Sequence, residues 1–564
     1  MKTELALARR ARRMTFAFGL SLAAAAAHAQ DAPPADVYTP AGGPAAEAQD
    51  EDSDSPRASG RARTEVQAYL EVAQVLSAEL GGGGDTLTYT SVAAGVDGRV
   101  QTRRVTAQMS VRYQRNIEYD DGVADRDVVS GLAAVNLQVV PGVLTFDAGA
   151  LATRTGGEGR VFGVTNRDSS IDVYSAYLGP TLSTHAGPLA INAAYRLGYV
   201  KVDDNRAGGR LNDDFDSATA HSATASIGMA PGGAGLPIGW TVGAGYARED
   251  SGGRWRQRFE GMYVRGDVVL PVSPTLAVTA GVGYENFEAD QRDFARDASG
   301  APVIGPDGPT PDPSRPRLLT YDLDGMMYDA GLIWRPGPRT ELQARAGRRY
   351  GGTTVVGSLD HRFNEHQGIH VEVFDSVQTF GNRLADDVSG LGNNFDANRD
   401  PLTGGLSGCV FGARGATGGG CFDRSLVAIS GNSFRMRGGS LVFSGERGLW
   451  SYGVGAGYAH RRFNRPAVGN FAAFAGEDDA YSIYGTVGRQ LSRTSEINFD
   501  AFASWYDSDV STDIVSSMGA TLSYNRSFFL ERLQLMAALG LYHSDDGVED
   551  STNASASGGL RYTF

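Results

Sequence analysis

Three short stretches carry side chains whose types invite chemistry. In "HRFNEHQGIH" three imidazoles, His361, His366 and His370, crowd together. A zinc site of the H-E-x-x-H kind needs two of them on one helical face. Here the flanking residues alternate as strands around a tight turn, so no metal site is expected. In "DANRDPLTGG", Asp396, Asn398 and Asp400 fall at calcium-loop spacing, but Pro401 stands where that loop needs glycine and Ser407 where it needs a bidentate glutamate. A turn-rich loop is expected instead. The run "GGGGD" at 81–85 lacks the lysine and following helix of a phosphate loop and reads as a hairpin turn. His221 and His460 stand apart from any nucleophile-elbow or zinc pattern. The sequence therefore offers no catalytic residue, no cofactor and no enzyme.

Two further residue classes could do work. Cys409 and Cys421, the only cysteines, bracket the glycine-rich "CVFGARGATGGGC". In an exported chain they are expected to form a disulfide, which for so short a loop is worth about 3 kcal/mol in the chain-entropy account. The basic side chains are almost all arginine: Lys2 and Lys201 leave 49 of the 51 Lys+Arg residues as arginines, in a chain of formal net charge -14. Guanidinium forks suit carboxylates, phosphates and sugar acids. Arginine-biased codon usage gives the same composition, so the bias alone assigns nothing.

What could position such groups is a repeated two-residue alternation that runs from about Thr64 to the end. Val105, Ala107, Met109, Val111 and Tyr113 share one face, with Thr106, Gln108, Ser110 and Arg112 on the other. Leu144–Ala150, Ile497–Trp505 and Leu533–Leu541 repeat the pattern, whose period is two rather than 3.6. About 22 such segments can be counted, within a range of roughly 18 to 22, and membrane strands need only about 9 to 11 residues each. With the first strand running outward, every second connection is short, at "DG" 97, "PG" 141, "HAGP" 185, "PVSP" 271, "PGP" 336, "SGERG" 444 and "LSRTS" 491. All the long connections fall on the other side. A soluble sandwich has no reason to sort its loops so. The expected fold is all-β: a single transmembrane antiparallel up-and-down β-barrel with short periplasmic turns and long extracellular loops.

The ends agree with an exported barrel. Residues 1–29 combine a basic start, the apolar run "MTFAFGLSLAAAAA" and "AHA", and read as a signal peptide cleaved after Ala29. Residues 30–63 are rich in Pro, Ala and acids and read as a disordered acidic periplasmic leader. Residues 64–564 are the barrel. Trp240, Trp334 and Trp450 beside short turns, with Trp255 and Trp505 near the outer ends, are expected to form aromatic girdles at the two membrane interfaces. The chain stops on "LRYTF": Leu560, Tyr562 and Phe564 lie in register with the lipid face. They read as the strand that closes the barrel and as the terminal signature read by the barrel assembly machinery.

With outward faces apolar, polar groups must point inward. Arg112, Arg196, Arg256, Arg258, Arg345, Arg349, Arg435, Arg437 and Arg461 fall on predicted inward positions, against Asp147, Asp172, Glu260, Glu285, Glu341, Glu372 and Asp500. A mildly basic lumen, favouring anions, is the resulting expectation. The competing expectation is that these arginines pair with neighbouring acids and brace the wall.

"YLEVAQVLSAEL" near the first strand and "GRRYGGTT" around Tyr350 resemble the outer-membrane β-barrel porin family of proteobacterial exopolysaccharide and exosortase (PEP-CTERM) gene clusters, over roughly Glu65 to Phe564. The resemblance implies an integral protein of the outer membrane, set among its lipid and lipopolysaccharide. It also implies work with periplasmic polysaccharide-export proteins on an anionic polysaccharide, with no nucleic-acid partner. The function expected is a porin-like conduit for exopolysaccharide or a related envelope polymer. The alternative is a structural or adhesive surface protein with an occluded lumen. A TonB-dependent transporter is not expected, because residues 30–63 are too short for a plug domain.

Overall fold

A computed structural model describes residues 63–80, 86–119, 126–156, 170–204, 214–305, 308–390, 395–396, 399–406, 409–412, 420–421, 426, 429–464, 476–509, 513–530, 532–547 and 550–564. The expected signal peptide, the leader except Arg63, and the 81–85 turn lie outside these residues.

The barrel strands are β1 (Arg63–Glu79), β2 (Thr86–Gln101), β3 (Val105–Glu118), β4 (Arg126–Val140), β5 (Leu144–Thr155), β6 (Ile171–Ala186), β7 (Leu189–Asp204) and β8 (Ser217–Met229). They continue as β9 (Gly239–Ser251), β10 (Arg258–Ser273), β11 (Leu276–Gln291), β12 (Leu318–Gly337), β13 (Thr340–Arg349), β14 (Gly352–Asn364) and β15 (Gln367–Gln378). The last seven are β16 (Phe434–Arg447), β17 (Trp450–Phe463), β18 (Glu477–Ser492), β19 (Ser495–Ser508), β20 (Val515–Phe528), β21 (Leu533–Asp545) and β22 (Asp550–Thr563). All belong to one 22-stranded sheet. Each pairs antiparallel with its sequence neighbours, and β22 closes onto β1, with Leu560 opposite Val72 and Tyr562 opposite Leu70. The Phe564 amide donates to the Ala68 carbonyl at 3.0 Å, so the final residue completes the seam.

The alternation read from sequence becomes two faces. Val66, Leu70, Val72 and Leu76 of β1 stand half exposed on the outside, while Tyr69, Glu71, Val75 and Ser77 between them are buried. β21 does the same, with Leu539 and Leu541 outside and Ala538 and Tyr542 inside. A continuous apolar belt of this extent is hostile to water and matches the hydrocarbon-facing band of an outer-membrane barrel. The long connections (156–170, 205–216, 292–317, 379–433 and 464–476) all leave one end, and two- to nine-residue turns close the other. The chain is an integral outer-membrane β-barrel. No described helix is long and apolar enough to cross a membrane; the crossing is made by strands.

Two local expectations change. Asp97 and Gly98 lie inside β2, paired with Ser110 and Met109. The turn comes at 102–104, where Thr102 Oγ1 accepts the Val105 amide and so offers the backbone a turn later than the sequence cue. At the loop end not every connection is long: Tyr350 and Gly351, with φ of 53° and 71°, turn β13 directly into β14.

Candidate functional site

Described parts of the 379–433 connection lie against the inner wall of the barrel. Its helix α1 (Phe380–Ser389) folds inward onto the walls of β5 to β8. Phe380, Leu384, Ala385 and Val388 form its apolar stripe, and they are buried together with Leu132, Leu151, Val173, Val200, Val202 and Ala218 of the wall. The helix start is capped from the wall. Glu249 Oε2 accepts the Thr379 hydroxyl at 2.5 Å and the Asn382 amide at 2.8 Å, a carboxylate set against unpaired N–H groups at a helix start. Gly381 permits this approach, since a Cβ there would stand 2.6 Å from Glu249 Oε2. Along the helix, Arg383 pairs with Asp387 at 2.9 Å, and Asp386 accepts from Arg196 Nη1 at 2.9 Å. Burial pushes the Asp386 carboxyl up to about 6, against the opposing pull of Arg196 and Arg383.

Further along, residues 399–406 continue round the wall. Arg399 donates to the Ser110 carbonyl at 2.8 Å. The Leu402 carbonyl accepts from Tyr89 Oη at 3.2 Å, and the Gly404 carbonyl from Ser130 Oγ at 2.9 Å. Asp400 caps its own turn through the Leu402 and Thr403 amides and accepts from Tyr542 Oη at 2.6 Å. The connection is thus fastened to inner faces from β21 through β9, half of the circumference.

The expected basic wall is differently built. Arg112, Arg196, Arg345, Arg349 and Arg461 do sit on inner faces, and each has a carboxylate. Arg112 pairs with Glu71 at 2.7 Å and Arg349 with Glu285 at 3.1 Å. Arg345 joins Arg265, Asp267 and Asp329 in a buried quartet, with Arg345 Nη1 2.9 Å from Asp267. Arg461, 1% exposed, donates to Asp478 at 2.8 and 3.0 Å, and Tyr506 Oη joins at 3.0 Å. These pairs brace the wall instead of offering free cations.

Four of the nine arginines are not on the inner wall. Arg256 is an exposed loop residue with φ of 43°. Arg258 lies on the outward row of β10, opposite Asp250, which it bonds at 2.9 Å. Arg435 and Arg437 alternate with buried Phe434 and Met436, so they too belong to the outward row. Arg256 lies off the strand altogether; for the three on strands, a slip of a single residue flips the face, because the period is two. Asp172 and Glu260 shift outward for the same reason, Asp172 beside Arg154.

Trp240, Trp334 and Trp450 sit beside turns 230–238, 338–339 and 448–449, and Trp505 near the loop end of β19. Trp255 is 2% exposed, packed on Phe294 at 5.3 Å in the 252–257 loop. It is a loop-core residue and not part of a girdle. Leu560, Tyr562 and Phe564 line the outside of the closing seam. Cys409 and Cys421 face each other in backbone register within a small ladder; their side chains lie outside the described residues. His361 and His370 do not converge: His370 bonds Asp360, and His361 packs on Phe363 at 4.4 Å. Among the described residues no group of His, Cys, Asp or Glu could hold a metal.

The sequence reading missed α1, Glu249, Asp386 and the Arg265 quartet. Phe380, Leu384, Ala385 and Val388, at offsets of four, five and eight within a polar run, were the available sign of the helix.

No family model and no curated protein matches the chain. Among solved structures it is similar to the FrpB iron transporter from Neisseria meningitidis, 10% identical over 88% of this chain and 81% of that one, with a TM-score of 0.43. It is also similar to the siderophore receptor PiuA from Acinetobacter baumannii (11%, 88% and 82%, 0.41) and to the ferric-catecholate import receptor Fiu from E. coli (9%, 88% and 81%, 0.43). A likeness at this level describes a barrel and brings no function with it.

Proposed function

We propose that this barrel is a conduit for a polyhydroxylated envelope polymer, exopolysaccharide being the class, and that the inward 379–433 connection sets the passage. The observation that carries this is the fastening of α1 and residues 399–406 to half of the inner wall. Neutral inner rows support the choice of cargo. Ser517, Thr521, Ser523 and Asn525 of β20, and Asn553, Ser555 and Ser557 of β22, alternate with the lipid-facing residues. Hydroxyl and amide groups exchange hydrogen bonds with sugar hydroxyls without the cost of desolvating a charge. With its arginines neutralised, such a wall suits a neutral polymer better than an anionic one. Periplasmic polysaccharide-export proteins would be the partners at the turn end.

The second reading is a surface protein with an occluded lumen, and the same fastening favours it. Planar-bilayer recordings with a neutral dextran and a polyuronic acid of matched size separate the two. The conduit gives resolvable channels that neutral dextran blocks at lower concentration than the polyanion. An absence of channels, or block by the polyanion alone, would overturn this reading.

A further inference from the structure

The ladder between β14 and β15 stops half-way up the wall. It runs from Asn364 opposite Gln367 to Gly357 opposite Val373 and ends there, although the strands go on to Gly352 and Gln378. Beyond the break β14 pairs only with β13, and β15 only with β16. Five residues on each edge, roughly 16 Å of strand at 3.3 Å per residue, are left unzipped. Continued register would bring Thr354 opposite Ser376. Those two residues are 6% and 2% exposed, and their hydroxyls have no hydrogen-bond partner among the described residues. An open sheet edge at membrane depth is unfavourable unless something covers it.

Side chains bridge the gap in place of the ladder. Arg435, from the outward row of β16, reaches over β15 to bond Asp375 at 2.7 and 2.8 Å and the Tyr350 carbonyl at 3.1 Å. Arg437 lies 3.3 Å from the same carboxylate and donates to the Thr353 carbonyl on the β14 edge at 3.1 Å. Gly352 lies under both, since a Cβ there would be 3.1 Å from Arg435 Nη1 and 3.5 Å from Arg437 Nη2. Two guanidiniums thus share one buried carboxylate, and the Arg437 side chain remains 47% exposed. A neighbouring aromatic pair argues for headgroup height, since amphipathic rings collect at membrane interfaces. Arg437 is one outward step beyond Gly439, which stands opposite Tyr458, and Tyr458 stacks on Tyr481 at 4.9 Å as an interfacial aromatic pair. Beside the gap, Val355 and Val373 are exposed on the lipid face; above them Val377, which shares the row of Arg435, is buried with Tyr350, Phe259 and Phe287 and closes the seam toward the lumen.

We propose that this unzipped seam is a lateral slot for an outer-leaflet lipid with a phosphate-bearing headgroup, the phosphate on Arg437 and Arg435 and an acyl chain along Val355 and Val373. The excess guanidinium supplies the charge, and its fork matches phosphate oxygens. Val355 and Val373 supply an apolar track that a free anion would not use.

The full-length barrel in zwitterionic detergent is titrated with diphosphoryl lipid A, with its dephosphorylated form and with inorganic phosphate, and complexes are read by native mass spectrometry. The slot predicts binding of lipid A, at least tenfold weaker binding of the dephosphorylated form, and none of millimolar phosphate. Arg437→Gln weakens lipid A at least tenfold, and Arg437→Lys recovers part of the loss. In a chain with Cys409→Ser and Cys421→Ser, a Thr354→Cys/Ser376→Cys pair excludes lipid A when oxidised and admits it when reduced. Equal affinity of the Arg437→Gln chain, phosphate binding as tight as lipid A, or lipid binding unaffected by the cross-link would each overturn the proposal.

Discussion

At the scale of residues, the arginines carry the clearest lesson. Their number suggested a basic lumen, yet on the inner wall each of the predicted ones has a carboxylate partner, Arg196 on helix α1 and the others within a strand or two. Arg461 and Asp478, 1% and 1% exposed, are the extreme case. Removing one partner of such a pair leaves a buried charge, at a cost of about 3 kcal/mol or more. Arg461→Ala should therefore lower the denaturant midpoint of the purified barrel while leaving the reversal potential in a salt gradient unchanged; an altered reversal potential with unchanged stability would make Arg461 a selectivity residue. Asp386 gives a pH signature. Burial raises its carboxyl to about 6, above the ordinary 3.8. The contribution to docking of α1 is then complete below the ordinary value and lost as pH rises through about 6, a swing of at most about 3 kcal/mol. Amide protection in 380–389, corrected for intrinsic exchange, should increase from pH 7.5 to 5 and be flat in Asp386→Asn. Protection that falls on acidification would contradict this.

At the scale of elements, strands were legible and the helix was not. A period of two shows in any run where one face meets lipid, as in Leu533–Leu541, because the membrane demands apolar side chains all along that face. The inner face carries no such demand, and so Arg258, Arg435 and Arg437 could be assigned to it without contradiction in the sequence. Near the rim the outward row leaves the hydrocarbon and becomes charged, which erases the contrast. Helix α1 was hidden for another reason: its start is capped by Glu249 from β9 instead of by its own residues, and no local cue encodes a contact across 130 positions. That contact is testable. Gly381→Val forces a branched side chain into the space of the Glu249 carboxylate and should free the helix, seen as faster proteolysis of the 379–433 connection with an unchanged heat-shift of the barrel on gels. Resistance equal to that of the unaltered chain would show that the cap does not hold the helix.

At the scale of the whole molecule, a closed sheet of 22 strands encloses more space than its own inner side chains fill, since barrels of 16 to 18 strands already hold aqueous channels. On the proposed reading, the described parts of the 379–433 connection, attached to inner faces from β21 through β9, limit passage through that space. The barrel itself does not need them, because each strand is hydrogen-bonded to two neighbours and the seam is closed by β22 on β1. The most direct measurement is single-channel conductance of the full-length protein against a chain in which residues 380–428 are replaced by a short Gly-Ser linker. A folded barrel is expected in both, with conductance several-fold larger after replacement. Equal conductance in the two, or no channel in either, would contradict it.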